Sequence, residues 1–202
     1  NTVNASKATV TITGKGNYND TVSQTFDIKK KDLEITAENK TIKYGEDSPI
    51  FTASYEGFVN GETAQTTGAL TGTLTFDCAY IKAGSAGTGT SDEQNSKAGT
   101  YVITPKGLTS ANYDITFIPG SLVVDKADGQ VTIGAVGDKT YGDAAFALLV
   151  DKHGSDGALN FESSDAGIMT VDADGMVTLK HVGTATITVR MAEGTNYKAA
   201  QN

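Results

Sequence analysis

Residues able to do chemistry are few and widely separated. His153 and His181 are the only histidines, 28 positions apart (181 minus 153), and Cys78 is the only cysteine. A zinc site draws on clustered His and Cys ligands, and a nucleophilic relay needs a base oriented beside its serine. Neither pattern occurs, so no catalytic residue and no metal ligand set is assigned, and no disulfide can close within the chain. Gly14-Lys15-Gly16-Asn17 lacks the Gly-Lys-Ser/Thr ending and the following helix of a phosphate loop, and reads as a turn. Asp172-Ala173-Asp174-Gly175 offers two carboxylates without the third ligand and later glutamate of a calcium loop, and reads as a hairpin turn. Asp125, Asp128, Asp138 and Asp143 gather near a module junction. There two readings stand, solvated acids or a calcium ion that stiffens the array. No cofactor is expected.

Aromatic side chains supply the remaining candidates. Asn-Tyr pairs recur at Asn17-Tyr18, Asn112-Tyr113 and Asn196-Tyr197. An exposed tyrosine stacks on a sugar face, but a fixed place before a closing strand fits a structural corner, in which the ring plugs the end of a sandwich and the hydroxyl bonds to backbone. Tyr18, Tyr113 and Tyr197 are therefore assigned that role. Tyr80, Tyr101, Tyr55 and Phe58 are the ligand-binding candidates, with end-of-sandwich packing as the competing reading for Tyr55 and Phe58.

These residues must be positioned by strands. The chain has 23 glycines, 3 prolines and no tryptophan, 38% hydrophobic and 20% charged residues. That balance suits a folded chain of short strands and tight turns. No apolar stripe of helical period runs for a dozen residues. Lys7–Thr13 alternates with Ala8, Val10 and Ile12 on one face, and Val22–Ile28 returns with Phe26 and Ile28 inward, a hairpin buried on one side. Further strands are expected at Leu33–Ala37, Ile50–Tyr55, Leu70–Ile81 with the even positions inward, Thr100–Thr104, Asn112–Ile118 and Ser121–Asp125. Pro119-Gly120 would kink the last of these, and Asn60-Gly61 marks a tight reversal. Later strands are expected at Val131–Ile133, Ala145–Val150, Leu159–Glu162, Ile168–Val171, Met176–Leu179 and Ala185–Arg190. The Gly-, Ser- and Thr-rich 82–98 run reads as an exposed, mobile loop.

Spacings point to tandem units. Tyr44-Gly45 returns at Tyr141-Gly142, 97 positions on (141 minus 44), while Tyr18 to Tyr113 is 95 and Tyr113 to Tyr197 is 84. Such a period belongs to whole domains in series, since solenoid coils repeat every ~20–50 residues. The expected division is 1–29, the closing hairpin of a preceding unit; 30–126, a complete sandwich; and 127–202, a sandwich whose last strand would centre near 207 (197 plus 10). Unpaired edges at both ends would then fray or pair between molecules.

Tyr44-Gly45, Pro49, Tyr55-Glu56-Gly57-Phe58-Val59-Asn60-Gly61-Glu62 and Gly107–Ile115 resemble the MBG family of bacterial immunoglobulin-like repeats. Val171–Thr178 and Gly183–Val189 resemble the group-2 bacterial Ig-like (Big) repeats. The resemblance implies an all-β fold of tandem immunoglobulin-like β-sandwich modules in an extracellular stalk or adhesin at the bacterial surface, and it carries over no catalytic residue. The function expected is a non-enzymatic structural or adhesive segment whose partners are neighbouring Ig-like modules. The alternative is a module that binds glycan or another host ligand through the 82–98 loop and nearby aromatics. A formal net charge of -8 argues against nucleic acid as partner, and no apolar run reaches membrane-spanning length.

Overall fold

The computed structural model describes residues 6–82 and 97–202; most of the loop expected at 82–98 lies outside them. The described residues form strands and turns, with no helix among them. The fold is all-β, in immunoglobulin-like modules. Contacts divide the chain into two compact units, Asn1–Lys40 with Pro49–Ala79 and Tyr101–Leu122, and Thr41–Ser48 with Tyr80–Thr100 and Val123–Asn202.

The chain opens with a hairpin of β1 (Lys7–Thr13) and β2 (Thr21–Asp27), a sheet of two strands. Its register puts Ala8 opposite Phe26, Val10 opposite Gln24 and Ile12 opposite Val22, so one face is almost wholly apolar and the other carries Thr and Ser. The strands lie where the alternation put them, but the burial does not follow. Ile12 is 70% and Val22 67% exposed, because a two-stranded sheet offers no second layer to cover its apolar face.

The middle segment builds two sheets. The first takes β3 (Lys31–Ala37) at its centre, with β5 (Ala53–Glu56) antiparallel on one side and β8 (Tyr113–Ile118) parallel on the other. The second has the order β4 (Lys40–Lys43), β9 (Gly120–Asp125), β7 (Gly99–Thr109), β6 (Thr71–Asp77). Pro119 therefore does more than kink a strand: it splits the closing segment into β8 and β9, which join different sheets. Proline lacks the N–H that would continue a ladder, so the chain can change sheets at that point. Leu33, Ile35, Leu108 and Tyr113 form the buried core of the first unit, and Leu70, Leu74, Ile115 and Phe117 pack against it. Between β6 and β7 the register shifts from Gly72↔Leu108 to Thr75↔Lys106. Gly72 and Gly107 face each other there with φ of 99° and 93°, and a Cβ on Gly107 would stand 2.3 Å from the Thr73 carbonyl oxygen. Ile50, expected within a strand, is 87% exposed and β5 begins only at Ala53.

The second unit packs short strands around Val131, Val189 and Met191. β10 (Thr132–Ile133) pairs with β12 (Val150–Asp151). β11 (Phe146–Ala147), β15 (Met176–Leu179) and β14 (Met169–Val171) make one small sheet, in that order. β13 (Leu159–Ser163), β16 (Ile187–Met191) and β17 (Ala200–Gln201) make another. The single strand expected at Ala145–Val150 is thus two short ones in different sheets, with Leu149 between them 76% exposed. A returning strand, β17, starts three residues after Tyr197, ahead of the position near 207 that the spacing implies. β2 likewise starts three residues after Tyr18 (21 minus 18).

Candidate functional site

In the first unit the site is built around Tyr113. Its ring is 2% exposed and meets Phe58 edge-on, with centroids 5.3 Å apart at 81°. Residues 59–62 close a tight turn: the Glu62 N–H donates to the Val59 carbonyl at 3.0 Å, and Asn60 and Gly61 take positive φ of 58° and 73°. Asn-Gly is the pair that reaches this conformation most cheaply. The turn brings two partners to one phenol. Tyr113 Oη donates to Glu62 Oε2 at 2.5 Å and accepts from the Val59 N–H at 3.2 Å. Burial, and after it the Glu62 carboxylate, push the Tyr113 phenol above its ordinary value, with the Val59 N–H opposing. On the other side Ser110 Oγ donates to the Ala69 carbonyl at 2.6 Å and accepts from the N–H groups of Asn112 and Tyr113.

The outer side of the same turn borders an open groove of about 640 Å³ lined by Tyr55, Glu56, Gly57, Phe58, Glu62 and Gln65. Tyr55 and Phe58 form a tilted pair 5.9 Å apart at 30°. Two of the four ligand-binding candidates therefore come together. Both also pack on the core, so packing and lining are roles of the same rings. Burial raises the Tyr55 phenol. The groove offers an aromatic wall, two carboxylates and an amide, suited to hydrogen-bonding a neutral polyhydroxyl or a cationic ligand.

The second unit carries a different constellation around Tyr197. Its ring meets Tyr44 edge-on at 5.5 Å and 74°. The Asn196 carbonyl accepts from the Ala127 N–H, and the Lys198 N–H donates to the Ala127 carbonyl, each at 2.9 Å. Asp128 lies between two ammonium groups, Lys43 Nζ at 2.7 Å and Lys198 Nζ at 3.0 Å. Hydrogen bonds from Lys43 and Lys198 hold the Asp128 carboxyl down at about 2, and the Asp128 hydrogen bond raises Lys43. Burial raises the Tyr44 phenol. Lys126 Nζ donates to the Gly194 carbonyl at 2.7 Å and pairs with Glu193.

The other sequence candidates are scattered. Tyr80 is buried, and its hydroxyl donates to the Glu46 carbonyl at 2.8 Å, so it presents no stacking face. Tyr101 is half-buried on β7. Tyr18 is 78% exposed, so its ring plugs no sandwich end here, the two-stranded hairpin having no end to close. His153 Nε2 stands 3.0 Å from Thr132 Oγ1, and its Nδ1 faces Asp151 at 3.5 Å. Asp172 Oδ1 accepts from the N–H groups of Asp174 and Met176, which makes it a turn cap. Among the described residues no three His, Cys, Asp or Glu side chains gather as a metal would require, and Asp128 of the junction acids is taken up by lysines.

Sequence reasoning did not find the Lys43–Asp128–Lys198 group or the partnership of Glu62 with Tyr113. One signal was available for the joint. Lys-x-Asp occurs at Lys30–Asp32 and again at Lys126–Asp128, 96 positions on (126 minus 30). In both copies the first lysine reaches a carbonyl three residues before the corner tyrosine, Ser110 for Lys30 and Gly194 for Lys126.

The Tyr44-Gly45 turn agrees with what comparison with known families finds. Residues 33–123 match the MBG domain (YGX type). The Ig-like module that follows this MBG domain is matched over residues 151–193 by the family described as Intimin, immunoglobulin-like domain. No curated protein matches the chain. Tyr113 and its groove belong to the MBG domain, whereas the second constellation joins Lys43 and Tyr44 of the MBG domain to residues beyond its matched end.

Proposed function

We propose that the chain is a non-catalytic stalk or spacer segment of a bacterial surface or secreted protein, working outside the cell with other Ig-like modules of the same polypeptide as its neighbours. The observation that carries this reading is the joint in the second unit. Asp128 sits between Lys43 of the MBG domain and Lys198, which follows the residues matched as Ig-like, and Tyr44 lies against Tyr197. A contact of packed rings and charged hydrogen bonds orders the residues that make it, whereas a free linker leaves them unordered. Small-angle scattering of the full chain tests the reading. A profile fitted by one fixed arrangement is expected, loosening in an Asp128→Ala, Tyr197→Ala double variant. Scattering of the unaltered chain that requires independently moving domains would remove the basis for a rigid spacer.

The groove beside Tyr55 and Phe58 favours a second reading, a glycan- or host-ligand-binding module. A glycan array separates the two. Reproducible binding that Tyr55→Ala abolishes would assign the groove as a site; no binding at high protein concentration leaves the spacer reading alone.

A further inference from the structure

The Asn-Tyr pair serves as a seat for an opening strand. At Asn112-Tyr113 the Asn112 carbonyl accepts from the Lys31 N–H at 2.9 Å, β3 runs parallel to β8 from Lys31↔Tyr113, and Lys30 Nζ donates to the Ser110 carbonyl. At Asn196-Tyr197 the Asn196 carbonyl accepts from the Ala127 N–H at 2.9 Å, Ala127 bridges Tyr197 in the parallel sense, and Lys126 Nζ donates to the Gly194 carbonyl. In each case the apolar residues that follow pack against the strand preceding the pair. Leu33 and Ile35 cluster with Leu108 of β7, and Val131 clusters with Val189 and Met191 of β16.

Asn17-Tyr18 has the same surroundings in sequence, with β1 before it and β2 starting three residues after it, as β17 starts three after Tyr197. Two things differ: β2 pairs directly with β1, whereas β8 begins at Tyr113 in a different sheet from β7, and the apolar face is left uncovered. Tyr18 is 78% exposed where Tyr113 is 2%, and Val10, Ile12, Val22 and Phe26 stand 51%, 70%, 67% and 51% exposed on one face. Among the described residues, β2 pairs only with β1.

We propose that the β1–β2 hairpin is a strand-docking surface for the opening strand of an Ig-like module of this same kind. The occupant is an extended segment in which lysine precedes alternating apolar residues, as in Lys30–Ile35. It lies parallel to the chain at Asn17-Tyr18, donates its first N–H to the Asn17 carbonyl, and sets its apolar side chains over Val10 and Ile12. Backbone pairing supplies the attachment and the alternate side chains supply the selectivity, as in other additions of a strand to a sheet edge.

The test adds a synthetic peptide of residues 29–38 to the full isotope-labelled chain and follows amide shifts and hydrogen exchange by NMR. Shifts and slowed exchange confined to residues 8–27, with the Tyr18 ring protons and the Val10 and Ile12 methyls moving, are expected. They should vanish for a peptide carrying Leu33→Asp and Ile35→Asp, and for a chain carrying Ile12→Ser and Phe26→Ser, whose remaining resonances report that the two units are intact. Three results would overturn the proposal: no change at 8–27 with peptide in large excess, an equal response to the altered peptide, or changes only at 113–118 or 197–202. Self-association of the chain through this face that excludes the peptide would assign the surface to a second copy and overturn it as well.

Discussion

Tyr113 and Tyr197 carry the same dipeptide and differ in what their hydroxyls and rings meet. Tyr113 is buried and holds both ends of the Asn60-Gly61 turn through Val59 and Glu62. Replacing it by phenylalanine leaves the Val59 N–H and the Glu62 carboxylate without that partner, at a cost of about 1–3 kcal/mol, to be read from urea midpoints. The same phenol sets an alkaline limit. Because its pKa is raised in the folded state, the associated stability is complete below the ordinary tyrosine value of 10.0 and is lost as pH rises through the higher folded value. Denaturation midpoints should therefore fall above pH ~10, and less so in Tyr113→Phe. Asp128 gives the opposite sign. Its carboxyl is depressed from 3.8 to about 2, so the interaction is present above the ordinary value and lost as pH falls through about 2. A carboxyl titration followed by NMR should show a midpoint near 2 in the native chain. Lys43→Ala and Lys198→Ala should each move it back toward 3.8, and no shift in either would deny the lysines their role.

At the scale of elements, the β6–β7 bulge is the place where backbone conformation is most constrained. Gly107 combines φ of 93° with a would-be Cβ 2.3 Å from the Thr73 carbonyl oxygen. Gly107→Ala is expected to destabilise the MBG domain by about 1–3 kcal/mol. Gly137 makes the matching control, since a Cβ there meets nothing within 4 Å; Gly137→Ala should leave the midpoint unchanged. Equal effects of the two substitutions would show that crowding at the bulge is not what matters. The split of Ala145–Val150 into β11 and β12 has a related cause. Alternation marks which residues prefer an interior, but Phe146 and Val150 find their pairing partners, Val177 and Ile133, in different sheets.

For the molecule as a whole, the joint at Tyr44, Asp128 and Tyr197 is the feature on which the proposed stalk depends. Tyr197→Ala removes a half-buried ring from contact with Tyr44 and should lower the thermal midpoint of the chain, at a cost of up to a few kcal/mol. A midpoint unchanged in Tyr197→Ala would mean that the ring contact carries no stability. Local chemistry settled a large part of this protein before any coordinates. Period-two alternation placed β1, β3, β8 and β15 to within a residue or two at each end, because a strand with one buried face must alternate. Asn60-Gly61 and Asp172–Gly175 were legible as turns because few residues reach positive φ cheaply or cap their own backbone. The recurring Tyr-Gly and Asn-Tyr pairs announced domains in series. Only the tertiary structure decided which of those alternating faces are covered. The alternation of Ala8, Val10 and Ile12 is as regular as that of Leu33 and Ile35, yet Ile12 is 70% exposed and Leu33 fully buried. It likewise decided that Glu62, and not only backbone, receives the Tyr113 hydroxyl, and that Asp128 meets Lys43 across 85 positions of sequence. Periodicity and turn chemistry act over a few residues and are written in the chain, whereas burial and charge pairing depend on which distant segment arrives, and that is fixed only when the sheets assemble.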